Sequence, residues 1–231
     1  MRNNHTPDRI DVYLEIGKKR TFAGAIDWPG WCRSARDEGS ALQALVDYAP
    51  RYARVLHGTP LEFQPPADTS AFSVVERLEG DATTDFGAPG KALSGDARPV
   101  DGAELRRFQA LLQACWAAFD AAVRAANGKE LRRGPRGGGR DLAPIVWHLL
   151  DADAAYLASL GRKLDKENDP GEKLAVTRQA ILSALAVAAG GGIPERGPRG
   201  GARWTARYFV RRVAWHALDH AWEIEDRTLP V

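Results

Sequence analysis

Residues 214–227 read AWHALDHAWEIEDR and carry two of the chain's five histidines, His216 and His220, four positions apart. In an α-helix that spacing stacks two side chains one turn apart on a single face. Phe209, Val213 and Ile224 fall on the same face, so this stretch reads as a helix that turns its histidines into a core. Its full extent is RWTARYFVRRVAWHALDHAWEIEDR, residues 203–227.

Three more helical stretches precede it. Residues 101–127 have Asp101 as an N-cap and Glu104 three places on, a capping-box pattern. Their apolar stripe runs Leu105, Phe108, Leu112, Cys115, Phe119, Ala122 and Ala126. Residues 140–161 begin with Asp141 as N-cap, and Pro144 sits in the first turn, where a missing N–H costs little. Residues 172–192 end in three glycines. Four amphipathic helices in about 130 residues predict a four-helix bundle.

The N-terminal part has a different period. DVYLEIG places Val12, Leu14 and Ile16 on one face at period two, and TFAGAIDW follows after a GKKR turn. WPGW is a Pro-Gly turn, CRSARD a short edge strand, and AFSVVERLE one more strand. EGSALQALVDYAPRYARVL has helical spacing, with Ser40 as N-cap and Pro50 as a point to kink or end it. The expected class is therefore α+β, with a small sheet-plus-helix domain over 1–80, a linker over 81–97 and a bundle over 98–231.

Composition narrows the partners. The chain has 231 residues, 44% hydrophobic and 27% charged, with 32 basic and 30 acidic side chains and a net charge of +2. That balance carries no footprint of a nucleic-acid or membrane partner. The N-terminus is polar and then strand-like, and no run approaches a membrane span, so the reading is a cytoplasmic chain. Cys32 and Cys115 lie in different candidate domains and form no disulfide framework. Cys115 reads as a small buried hydrophobe.

His148 supplies a third imidazole. It lies on the face of the second helix that holds Ile145, Leu149, Ala152 and Tyr156, and so points inward. Three histidines from two helices of one bundle match the donor set of a divalent metal site that keeps one position open. Imidazole suits nickel and zinc alike. Glu223, three residues after His220 and on the inward face, is the acid expected beside the site and the candidate catalytic carboxylate. Asp153 reads as part of a solvated face.

RGPRGGGR (133–140) and RGPRGGAR (196–203) form a short internal repeat, each leading into a histidine-bearing helix. If the two helix hairpins are related, both loops lie at one end of the bundle. Arg136 and Arg199 are then the candidate side chains for gripping an anionic cofactor.

VWHLLDAD followed by WHALDHAWEIED resembles the DinB/YfiT-like metal-binding four-helix bundles over residues 98–231. The resemblance puts that family's metal ligands on His148, His216 and His220. It implies a nickel or zinc ion, a small-molecule substrate and a link to low-molecular-weight thiols, as in thiol-dependent S-transferases. It would also allow a homodimer through an apolar bundle face. YLEIGKKRTFAGAIDWPGWCRSARDEGSALQALVDY is similar to the HicB-like fold over residues 10–58, without the DNA-binding segment that HicB-type antitoxins add. The functional expectation is a metal-dependent group-transfer enzyme. Its alternative is a non-catalytic regulatory protein with a structural metal and the HicB-like module as recognition domain. A fourth protein ligand would favour the second.

Overall fold

The computed structural model describes residues 9–133, 139–163, 170–198 and 200–229. The chain is α+β and divides into two compact units, residues 1–94 and 95–231.

The first unit is a four-stranded mixed sheet with one long helix. β1 (Ile10–Ile16) pairs antiparallel with β2 (Thr21–Ala25), and β2 antiparallel with β3 (Cys32–Ala35). β4 (Phe72–Glu79) joins the other edge of β1 in parallel, with a bulge at Val12/Tyr13, to give the order β3-β2-β1-β4. α1 (Glu38–Leu56) packs on β2 and β3 through Ala41, Leu45, Ala49 and Tyr52. Asp37, not Ser40, is its N-cap: the Asp37 carboxylate accepts the Ser40 N–H at 2.8 Å. Pro50 lies inside α1, which continues to Leu56. Trp31 stacks on Tyr52 and donates its indole N–H to the Leu45 carbonyl at 2.8 Å. Phe63, from the Pro-rich stretch, meets both rings edge-on.

Residues 81–97, expected as a linker, are mostly built into this unit. A short helix, α2 (Ala82–Phe86), is capped by Asp81. Glu15 on β1 is fully buried, and its carboxylate accepts bonds from the Thr84 hydroxyl and from the N–H groups of Gly90 and Lys91. Glu76 takes the Ser94 N–H. A Gly-, Asp- and Pro-rich composition looks like free loop, because the buried carboxylate that gathers it comes from a strand about seventy residues earlier.

The second unit contains α3 (Gly102–Ala126), α4 (Leu142–Ser159), α5 (Pro170–Ala189) and α6 (Ala206–Arg227). α3 and α6 run in one direction: Glu104 pairs with Arg207 near their starts, and Arg132 N–H reaches the Arg227 carbonyl past their ends. α4 opposes α6, since Trp204 N–H bonds the Ser159 carbonyl at one end and Arg227 bonds the Arg140 carbonyl at the other. α5 opposes α3, because Arg178 early in α5 pairs with Asp120 late in α3. α4 and α5 are therefore parallel, and Lys173 lies over the Trp147 ring near both starts. α6 is the most buried of the four helices, with sixteen of its 22 residues buried. Among the described residues no helix is long and apolar enough to cross a membrane.

Candidate metal centre

His148 on α4 and His216 and His220 on α6 converge. The Nε2 atoms of His216 and His148 are 3.3 Å apart, and those of His220 and His216 are 3.1 Å apart. One nitrogen from each ring lies within 4.8 Å of the others. His216 and His220 are buried, and His148 is half-buried, so the cluster opens on the α4 side. The placement follows from the helix period. Positions 216 and 220 stack on one face of α6, and the opposed α4 brings His148 across from them.

Glu223 stands one turn nearer the C-terminus of α6. Its Oε2 accepts from His220 Nδ1 at 2.7 Å, and its Oε1 from Arg227 at 2.5 Å. Arg227 also donates to the carbonyls of Arg132 and Arg140, tying the end of α6 to the segments flanking the 133–140 loop. With its proton on Nδ1, His220 directs the Nε2 lone pair at the other two rings. His216 lacks such a bond, since its buried Nδ1 has no partner. Packing holds that ring instead, with Tyr156 edge-on at 5.7 Å and Trp215 at 5.8 Å. Arg212 donates to the Tyr156 hydroxyl.

The electrostatics favour the neutral form of His148 and His216. Burial, then the neighbouring His220 and Arg140, lowers the pKa of His148. Burial also drives His216 well below the usual histidine value, with His220, His148, Arg212 and Arg140 acting in the same direction. Neutral imidazole is the ligating form. Burial alone would raise Glu223, but the bonds from His220 and Arg227 hold its carboxyl below the ordinary range.

Three imidazole donors with a carboxylate behind one of them fit an ion that prefers imidazole, such as zinc or nickel. Among the described residues no other Cys, Asp, Glu or His joins the group. Cys115 is fully buried on α3, and burial alone pushes its thiol up.

Other expectations fare differently. Arg136 and Arg199 lie outside the described residues. The two Arg-Gly loops do not share one end of the bundle. Arg140 is tied to the C-terminal end of α6, whereas Arg203 and Trp204 lead into its N-terminus. Those ends are about 33 Å apart for a helix of 22 residues. Asp153, expected on a solvated face, has no exposed surface. Arg227 was not singled out, although its position four residues after Glu223 is a legible helical pairing. No family model, curated protein or solved structure matches the chain.

Proposed function

We propose that the second unit holds a divalent metal ion, nickel or zinc, through His148, His216 and His220. We further propose that the chain is a metal-dependent enzyme of thiol-dependent group transfer on a small-molecule substrate. The observation that carries the reading is the convergence of three imidazole Nε2 atoms from two helices, with no fourth protein donor among the described residues. A structural site would be closed by a fourth protein ligand, whereas an open position admits substrate. The thiol reaction rests on the resemblance to DinB/YfiT-like bundles. When bound, the ion would act as a Lewis acid and lower the pKa of a thiol or water beside it.

The chain's own residues divide the remaining work. Burial keeps His148 and His216 in the neutral, donating form. Glu223 holds the His220 proton on Nδ1 and keeps Nε2 available. Arg227 holds Glu223 in place. Glu223 is thus a positioning residue in this arrangement, with both carboxylate oxygens engaged by the protein. Arg140, exposed beside the half-buried His148, supplies positive charge on the open side and would draw in an anionic substrate or thiolate.

Elemental analysis of the purified chain, beside a His216→Ala/His220→Ala variant, tests the site. About one metal per chain, lost in the variant, is expected. A screen of low-molecular-weight thiols with electrophiles then tests the reaction. If neither nickel nor zinc is retained after reconstitution, the histidines are core residues and the enzyme reading fails.

A further inference from the structure

A second site lies at the other end of the bundle. Beside the N-terminus of α6 is a cavity of about 540 Å³, bounded by residues 96–100, the end of α5 and residues 193–196 and 202–206. That volume is in the range of small-molecule sites. We propose that this cavity binds a small organic monocarboxylate with an apolar body.

Its lining has two characters. Val100, Ile193 and Trp204 are among its apolar lining residues, and Arg98, Arg196 and Arg203 also line it; the Arg98 and Arg196 side chains donate to the Gly95 and Gly200 carbonyls at 3.2 and 3.0 Å. Two acids also line it. The Asp96 carboxylate is consumed by a buried bidentate pair with Arg211, which leaves Glu195 as the opposing charge. None of the three arginines is ion-paired to a described residue. The Nε of Arg203 is shut off from water with no hydrogen-bond partner. Its guanidinium is pressed against Gly161, whose φ of +80° and missing Cβ make room for it: a Cβ there would stand 2.1 Å from Nη1. A cation with no ion pair to a described residue, at the edge of a ligand-sized cavity, favours an anion. The apolar lining selects an anion with hydrocarbon attached over a bare inorganic one.

The frame is preformed on both sides. Arg207 pairs with Glu104 and donates to the carbonyls of Arg98 (3.2 Å) and Pro99 (2.8 Å), which pins the 96–100 segment to α6. Opposite, Arg203 N–H bonds the Glu195 carbonyl and Gly197 N–H the Gly201 carbonyl, both at 2.8 Å. These bonds make a small hairpin of the second Arg-Gly motif. His216 lies ten residues into α6, about 15 Å along the axis, so a ligand here leaves the histidine cluster untouched. The proposal is independent of any metal chemistry.

Isothermal titration of the full chain with octanoate and with 3-phenylpropionate tests it, with 1-octanol and inorganic phosphate as comparisons. One saturable site with a Kd on the order of 100 μM is expected for at least one carboxylate. Arg98→Ser/Arg196→Ser, at two exposed side chains, should weaken it at least ~10-fold with an unchanged circular dichroism spectrum. Ile193→Trp should block the cavity independently of charge, and His216→Ala should bind as the wild type does. The proposal is overturned if neither carboxylate saturates, or if both pocket variants bind normally. Equal binding of octanol would mean an apolar cleft only, and equal binding of phosphate a bare anion site. Loss of binding in His216→Ala would place the ligand at the histidines. Each of these three results also overturns it.

Discussion

Asp153 is a buried carboxyl in the second unit. It has no exposed surface, and neither carboxylate oxygen has a hydrogen-bond partner. Burial pushes its pKa up to about 7, against the pull of Arg178. A carboxyl that holds its proton more tightly folded than unfolded stabilises the fold at low pH. That contribution is present below about pH 4 and is lost as pH rises through about 7. Asp153→Leu should therefore raise stability at pH 8 by about 1–3 kcal/mol and flatten this slope, as read from urea unfolding across pH. His148 and His216 act in the opposite sense. Their folded pKa values lie below 6.5, so stability falls as pH drops below that value. Glu223 offers the residue-scale test of the metal centre. Glu223→Gln keeps an acceptor for His220 but removes the charge, and should weaken metal affinity by about 10–100-fold in a competition titration. An unchanged affinity would mean that Glu223 only anchors Arg227.

At the scale of elements, close approach decides what a strand tolerates. Gly24 on β2 faces Tyr13 on β1, and a Cβ at 24 would stand 2.5 Å from the Tyr13 ring. Tyr13 is buried and meets Cys32 through its hydroxyl, so the ring has nowhere to retreat. Gly24→Ala should cost about 1–3 kcal/mol in chemical denaturation, although alanine suits a strand better than glycine does. Strands and helices were legible because periods of two and of about 3.6 are written in the residue order. Caps were less so. Asp37 and Ser40 are both good capping residues, and only the backbone turn selects the first. Pro50 removes one N–H from α1, but Tyr52 and Leu56 beyond it are buried, and their burial carries the helix past it.

At the scale of the molecule, the two compact units have separate cores, and the histidine cluster belongs wholly to the second. A ligand that binds only the folded form raises stability by mass action. Nickel or zinc at about a thousand times its Kd should add about 4 kcal/mol to the second unit. Scanning calorimetry should then show one transition moving with metal while the other stays, and no movement in His216→Ala/His220→Ala. Equal shifts of both transitions would remove the assignment to the second unit.

Residue order by itself determined the α+β class, the helices of the bundle and the inward face of all three histidines. Each follows from local period and from the exclusion of apolar faces from water. It also showed Glu223 on the histidine face, since three residues along a helix return to the same side. Only the tertiary structure decided the rest. It set α4 against α6, which brought His148 within 3.3 Å of His216 and sent the two Arg-Gly loops to opposite ends. It also buried Asp153 and drew Thr84, Gly90 and Lys91 around Glu15. Helix direction, long-range burial and the partners of a buried charge depend on contacts between residues far apart in the chain, and no local period records them.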